Sequence, residues 1–307
     1  MSDDAFALRL ARAVADRIRP LMGTANARRR VGTAHGGDPT YAIDAEAETL
    51  VREAFAERSD VAYFTEDEGL VVRGSPRRLF LVDPIDGTRP AAAGFETCCV
   101  SIAVAPFGAE PALGDVEYGC LVEIATGSVL EARRGAGASG DRAVEPSHAR
   151  AVRGAFWAGG FRGQPAVLTA TVLEEIFDAP GSEGAYFDQG SAAYSLACVA
   201  TGRLDAYVDV GAAIVDEIPG ARAAFEALGD GSILNSVTYD VAAGALLARE
   251  AGCAISDPRG RSLAEVPLLA ADGSASPVAT VCAGTPELHA ELLAAVDRGL
   301  ERARSLS

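Results

Sequence analysis

The sequence predicts an α/β protein. Short apolar runs with strand character alternate with segments of helical period, most clearly in the second half of the chain. Several of those apolar runs end at acidic residues, and the chain of 307 residues, 49% hydrophobic and 23% charged, has ample material for a large core.

Taken in order, residues 4–22 carry apolar side chains at helical spacing, with Asp3 or Asp4 placed to cap the start. A polar loop follows, Gly23 to Pro39, holding the basic run Arg28-Arg29-Arg30, which reads as solvated surface. Residues 40–57 read as an extended lead-in and then a helix beginning at Asp44. Val61–Thr65 and Leu79–Val82 read as buried strands, and Cys98–Ala105 and Gly119–Ile124 as further strands, the last followed by a turn at Ala125-Thr126-Gly127. Residues 135–150 are rich in Gly, Ser and charge and mark a boundary between two lobes, 1–145 and 146–307. Beyond it come a strand at Ala155–Gly159, helices at Leu168–Phe177 and Ser191–Thr201, and a strand at Asp205–Asp209. A helix over 240–251, strands at Ala254–Ser256 and Val278–Cys282, and a closing helix from Pro286 to Ala303 complete the pattern.

Charge and composition exclude several functions. With 27 basic and 43 acidic residues the net charge is −16, which repels nucleic-acid backbones and anionic membranes alike. The N-terminus, MSDDAFALRL, lacks the apolar core of a secretory signal, and no apolar run approaches the length of a membrane span, so a cytoplasmic protein is expected. The six cysteines form no CxxC pair and sit in apolar context, as buried free thiols do. His35, His148 and His289 are isolated, which gives a histidine zinc site or a Ser/His/Asp triad little support.

Three acidic clusters stand where a strand ends or a helix begins: Thr65-Glu66-Asp67-Glu68, Asp83-Pro84-Ile85-Asp86-Gly87-Thr88, and Asp240. Any one of them alone reads as solvated surface. The middle one is more specific, because Pro84 restrains the backbone between two carboxylates and Gly87 permits a tight turn whose amides can face an anion. Carboxylates without nearby lysine or histidine suit a hard cation such as Mg²⁺, and the Gly87 and Thr88 amides suit phosphate oxygens.

At LVDPIDGTRP the chain resembles the inositol monophosphatase family, within the lithium-sensitive, magnesium-dependent phosphatase superfamily that includes fructose-1,6-bisphosphatases. Further matches follow in the family's order: Tyr41-Ala42-Ile43-Asp44, Tyr63-Phe64-Thr65-Glu66-Asp67, Gly190-Ser191-Ala192-Ala193, Gly202-Arg203-Leu204-Asp205-Ala206-Tyr207, Tyr239-Asp240-Val241-Ala242-Ala243-Gly244, and Glu250-Ala251-Gly252. Thr65 stands where the family has Gly, and Tyr239 where it has Trp.

The resemblance implies a layered α/β/α/β/α sandwich and a homodimer. It implies a Mg²⁺-dependent phosphomonoesterase in which Glu66, Asp83 and the Ile85 carbonyl hold one ion, Asp83, Asp86 and Asp240 hold a second, and a weaker third joins Glu66 through waters. Thr88, paired with Asp44, would orient and help deprotonate the attacking water, with Glu66 also catalytic; Gly87 and Thr88 would receive the phosphate. Asp86, the Gly190–Ala192 helix start and Asp209 would face the substrate, although Ser191 also reads as a helix cap and Asp209 as a strand end. The substrate implied is a small hydroxylated monophosphate: an inositol, sugar, or nucleoside or nucleotide phosphate. Fructose-1,6-bisphosphatase and 3′-phosphoadenosine-phosphate phosphatase activities are the alternatives within the class, and a non-catalytic metal-binding interaction protein is the alternative outside it.

Two departures stand out. Arg89-Pro90 follows DPIDGT where many of these phosphatases have Thr-Asn, so Arg89 either binds a second anion or projects to solvent. The segment between Asp209 and Tyr239 is longer than in simple inositol monophosphatases; it reads as a loop, a short helix around Pro219–Leu228 and a Gly-rich return, either a plain surface insertion or a lid or wall over the pocket.

Overall fold

The computed structural model describes residues 2–34, 37–108 and 110–306; of the histidines considered above, His35 lies outside them. The chain opens with α1 (Asp3–Ile18), capped by Ser2 rather than by Asp3 or Asp4: Ser2 Oγ accepts the Ala5 amide at 3.3 Å. Both aspartates then fall in the first turn, where the helix dipole favours them. Pro20 lies in the 3-10 turn Arg19–Leu21 that ends the helix. An antiparallel pair, β1 (Arg30–Thr33) and β2 (Pro39–Tyr41), leads into α2 (Ala42–Ala56). The basic run is exposed, as expected.

A sheet of seven strands follows: β3 (Val61–Thr65), β4 (Gly69–Arg73), β5 (Arg78–Asp86), β6 (Cys99–Pro106), β7 (Tyr118–Glu123), β8 (Val129–Arg133) and β9 (Gly137–Gly140). Its order is β4-β3-β5-β6-β7-β8-β9, with only β3 and β5 parallel, and the short helix α3 (Thr88–Ala93) sits between β5 and β6. The remaining chain runs β10 (Phe156–Gly159), α4 (Ala166–Asp178), β11 (Ala185–Phe187), α5 (Ala192–Ala200), β12 (Ala206–Asp209), α6 (Gly211–Glu217), α7 (Ala221–Leu228), α8 (Thr238–Glu250), β13 (Ala254–Ser256), β14 (Thr280–Ala283) and α9 (Pro286–Leu306). Its five strands form a second, mixed sheet in the order β11-β10-β12-β14-β13.

The layers are α/β/α/β/α, and β5 shows why. Its Leu79-Phe80-Leu81-Val82 run is apolar throughout because both faces are covered. Phe80 and Val82 point to α1 and α2, packing with Phe6, Val51, Phe55 and Tyr63; the Phe55 and Tyr63 rings stack at 4.3 Å. A ring buried this way costs about 3–5 kcal/mol to remove. Leu79 and Leu81 point the other way, to Leu196 of α5 and Leu246 and Leu247 of α8. These two helices form the central layer and also meet Tyr207 and Cys282 of the second sheet. They approach closely because α8 carries small residues: a Cβ on Gly244 would stand 3.0 Å from Leu196 Cβ and 3.2 Å from Ala193 Cα. On the far face, α4 and α9 cover Trp157, Val208 and Val281.

The segment after Asp209 is less of an insertion than its sequence indicates. Ile214 of α6, Ile218 between the two helices and Phe225 of α7 are buried in the same cluster as α4 and α9, so both helices belong to the core; of this segment the return, Ile233–Val237, reaches the cleft described below, as a wall. All six cysteines are buried and free. Among the described residues, no helix is long and apolar enough to cross a membrane.

Candidate active site

The site lies where the two sheets and the central helices meet. In a regular strand Asp83 and Asp86, three residues apart, would point to opposite faces. They do not, because β5 is irregular at this point: Asp83 pairs with Ser101 and Asp86 with Cys99, and the register shifts between them. Pro84 sits inside that bulge, where its missing N–H breaks no ladder bond, and the bulge re-aims the second carboxylate. The Ile85 amide donates to Asp83 Oδ1 at 3.0 Å and holds the kink. Gly87 then turns the chain at φ 92°; a Cβ there would stand 2.8 Å from the Thr97 carbonyl, so glycine is required on both counts.

Two further acids are delivered by helix starts. Asp44 is the third residue of α2 and accepts the Tyr41 amide at 2.9 Å; Asp240 is the third residue of α8 and accepts the Val237 amide at 2.7 Å. Each ties down its own helix end, where a carboxylate is favoured, while lying beside the cleft. Glu66 is delivered by the turn after β3, where Thr65 Oγ1 accepts the Glu68 amide at 3.1 Å.

Folding gathers these acids. Carboxylate oxygens of Asp83, Asp86 and Asp240 lie within 4.8 Å of one another. Glu66 lies outside this tight trio but lines the same cleft, of about 420 Å³, together with Ile85, Gly87, Thr88, Gly190, Ser191, Ala192 and Asp209. That volume suits a small-molecule ligand. Burial pushes the carboxyls up, with repulsion from neighbouring acids added at Glu66, Asp83 and Asp240: Asp240 to about 8, Asp86 to about 6, and Glu66 and Asp83 well above the carboxylate range. Asp86 is held lower than its burial alone would set because Ser191 Oγ and the Ala192, Ala193 and Tyr194 amides donate to it. Ser191 thus caps α5, with its Oγ 3.2 Å from the Tyr194 amide, and at the same time lines the cleft.

Thr88 Oγ1 lies 3.2 Å from the Ile85 carbonyl and also within hydrogen-bond reach of Asp44, whose carboxyl burial raises to about 6. A hydroxyl has one proton, so it serves one of these acceptors at a time. Asp209 is 3% exposed, and its oxygens accept from Gln164 Nε2 at 3.1 Å, from the Gly211 amide at 2.9 Å and from Ser236 Oγ. It is both strand end and cleft lining.

Sequence reasoning did not single out Asp38, Glu48, Arg162, Gln164 or Ser236. Glu48 was within reach: it lies one turn after Asp44 on the same face of α2. Its Oε1 accepts the Asp67 amide at 3.3 Å, and burial lifts the group to about 8, with repulsion from Asp67 adding to it. Arg162 and Gln164 follow Gly159-Gly160 at the carboxyl end of β10, the kind of strand end that exposed the other clusters.

An all-oxygen set of carboxylates, Asp83 and Asp86 buried and Glu66 and Asp240 half-buried, with no ion pair to any of the four among the described residues, fits hard divalent cations. Such a site in such a layered fold has the donor set of a hydrolase with a carboxylate cradle. The family model described as inositol monophosphatase family matches residues 2–301, and the chain belongs to that family; it is a phosphatase, a phosphoric monoester hydrolase. It is 29% identical over 301 residues to a fructose-1,6-bisphosphatase/inositol-1-monophosphatase of Methanothermobacter thermautotrophicus, covering 94% of each chain. It is 29% identical over 284 residues to the inositol-1-monophosphatase of Mycobacterium bovis, covering 86% of this chain and 80% of that one. Among solved structures, the inositol monophosphatase of Thermotoga maritima aligns with a TM-score of 0.69 at 20% identity, over 97% of this chain and 98% of that one, a likeness of fold.

Proposed function

We propose that the protein hydrolyses a small hydroxylated monophosphate, an inositol, sugar, or nucleoside or nucleotide phosphate, with Mg²⁺ as its metal. The observation that carries this reading is the convergence of Asp83, Asp86 and Asp240, from distant parts of the chain, into one cleft beside Thr88 and Asp44. Glu66, Asp83, the Ile85 carbonyl, Asp86 and Asp240 would hold the cations. When bound, these supply charge neutralisation for the phosphoryl group and the leaving alkoxide and make water a better nucleophile.

The chain's own groups divide the remaining work. The Gly87 and Thr88 amides bind phosphate oxygens and orient the ester. The attacking water gives its proton to Thr88 Oγ1 as the Thr88 proton passes to Asp44, which at about 6 is matched to proton transfer near neutral pH. Water attacks phosphorus in line with the ester oxygen, the P–O bond breaks, the alkoxide takes a proton from solvent and leaves as the alcohol, inorganic phosphate leaves, and Asp44 returns its proton to solvent. Asp209, Ser236 and the Gly190–Ala192 segment form the wall that meets the alcohol's hydroxyls. A homodimer is part of the same reading; the exposed, stacked pair Phe156 and Phe187 supports a covered face, and light scattering tests it.

The test is a panel of phosphate esters assayed for phosphate release with Mg²⁺ and with EDTA. Release that needs the metal and vanishes in Asp83→Asn and Asp240→Asn is expected. Binding of Mg²⁺ without turnover of any ester would instead favour a non-catalytic metal-binding protein.

A further inference from the structure

The start of α5 lies over a row of three side chains. Across β5, β6 and β7, Asp86 pairs with Cys99 and Cys99 with Glu123. Directly paired residues present their side chains to one face of a sheet, so the three share the face that carries α5, with Asp86 and Glu123 about 10 Å apart along the row. Cys99 Sγ lies 3.9 Å from Asp86 Oδ2, in keeping with that placement.

Asp86 is fixed by α5 more than by its own strand, because the ladder to β6 shifts register just before it. Its carboxylate accepts hydrogen bonds from Ser191 Oγ, from the Ala192 and Tyr194 amides at 3.3 Å and from the Ala193 amide at 2.7 Å. The position of the first turn of α5 therefore sets where this carboxylate points. Ser191, Ala192 and Ala193 have little side chain by which that turn could be held. Tyr194 has a long one. Its amide donates to Asp86, while its hydroxyl accepts from Arg203 Nη2 at 2.7 Å and the guanidinium lies 5.2 Å from its ring centroid. Arg203 Nη1 in turn donates to Glu123 Oε1 at 2.9 Å. The Glu123 side chain is 7% exposed and also accepts from Arg142 Nη2 at 2.9 Å and Thr126 Oγ1 at 2.8 Å. A buried carboxylate with three side-chain donors is a firm anchor. A planar guanidinium that serves two acceptors fixes their separation, as a flexible ammonium does not. None of Glu123, Tyr194 and Arg203 is among the residues that line the cleft.

We propose that Glu123, Arg203 and Tyr194 are positioning residues for Asp86. The anchor on β7 holds the guanidinium, the guanidinium holds the first turn of α5, and that turn aims the carboxylate. This rests on the reading of Asp86 as a cation ligand, and it makes metal affinity depend on an ion pair outside the cleft.

The experiment reads Mg²⁺ binding apart from turnover. Calorimetric titration with Mg²⁺ gives its Kd, and thermal unfolding in EDTA gives the stability of the metal-free fold. Tyr194→Phe keeps the ring and removes the hydroxyl. Arg203→Lys keeps the charge beside Glu123 and removes the fork. Each should raise the Mg²⁺ Kd about 10-fold, the low end for groups that orient a metal ligand. The Mg²⁺ needed for half-maximal phosphate release should rise in parallel, with KM for the ester within twofold. The double variant should lose no more than the larger single loss, since both changes cut one path. Arg142→Gln is the control. Arg142 holds the same carboxylate but, among the described residues, makes no hydrogen bond to α5, so its loss should lower the melting temperature in EDTA and leave the Mg²⁺ Kd within twofold. A Kd within twofold of wild type in both Tyr194→Phe and Arg203→Lys overturns the proposal. So does a Kd that rises as much in Arg142→Gln, because lost stability then accounts for the effect. Wild type that binds no Mg²⁺ overturns the cation-site reading and the proposal with it, whereas the first two outcomes overturn the proposal alone.

Discussion

Replacing Asp240 by Asn should destroy activity and yet stabilise the metal-free protein. Asp240 ionises at about 8 in the folded chain against an ordinary 3.8, chiefly through burial and then through repulsion from Asp86. A folded value above the unfolded one means that stability is intact below about pH 4 and is lost as the pH climbs to about 8. At pH 8 that difference opposes folding by about 5 kcal/mol. Asparagine removes that penalty but leaves a polar amide in the same low-dielectric site at a cost of about 2 kcal/mol, so the substitution should recover about 3 kcal/mol. An asparagine still offers Oδ1 to the Val237 amide, so the start of α8 stays closed. For 307 residues, with an unfolding entropy of about 2.1 cal/mol/K per residue, 3 kcal/mol raises the melting temperature by about 5 °C. The assay is thermal unfolding of wild type and Asp240→Asn in EDTA and in Mg²⁺, at pH 5 and pH 8. The gain in EDTA should vanish at pH 5, where Asp240 is protonated in the fold and the unfolded chain is largely ionised, so that the penalty removed is about 1.7 kcal/mol and no larger than the cost of the amide. Mg²⁺ should raise wild type more than the variant. A variant that melts below wild type in EDTA at pH 8, or an equal Mg²⁺ response in both, would refute the reasoning.

Other expectations use the same structure. Thr88→Ala should lower kcat by about 100- to 1,000-fold with little change in KM, since it removes the hydroxyl between Ile85 and Asp44 and leaves the backbone amides in place; an unchanged kcat in steady-state assays would exclude Thr88 from the proton path. Gly87→Ala should cost about 2 kcal/mol or more, from the positive φ and the approach to the Thr97 carbonyl, and show as a lower urea midpoint together with lost turnover. Wild type in EDTA should melt progressively lower from pH 5 to pH 8, because Asp44 and Asp86 at about 6 and Glu48 and Asp240 at about 8 are all raised, and Glu48→Gln should flatten that fall; a melting temperature that rises over this interval would contradict the assignment.

The sequence carried the site further than it carried the fold's details. DPIDGT announced two carboxylates and a phosphate turn because Pro and Gly state their backbone needs locally. That Asp83 and Asp86 share a face was not legible, since it depends on a register shift against β6, a partner strand outside the motif. For the same reason β5 runs on to Asp86, past the expected end at Val82. Buried strands such as Val61–Thr65 were plain, but β4, β8, β9 and β11 carry partly exposed or glycine-broken patterns whose signal is weak without their neighbours. Helix α6 hid behind Gly211-Ala212-Ala213, which has little period to read. Arg89 stands out in the sequence as a departure from the motif, but its partnership with Arg162 through Asp38 joins three remote stretches of chain, and nothing in any one of them records it.

The cradle is divided between the halves of the polypeptide. Asp83 and Asp86 precede the stretch 141–150, which holds no helix or strand, while Asp240 follows it. Asp86 grips the start of α5 across that divide, and α8 lies against the seven-stranded sheet while bringing Asp240. Neither half can inherit the chemistry by itself, so a duplicated or exchanged fragment brings at most an incomplete cradle. Any shift of one sheet against the other changes the spacing of the carboxylates, so a cation held there would also clasp the two halves together.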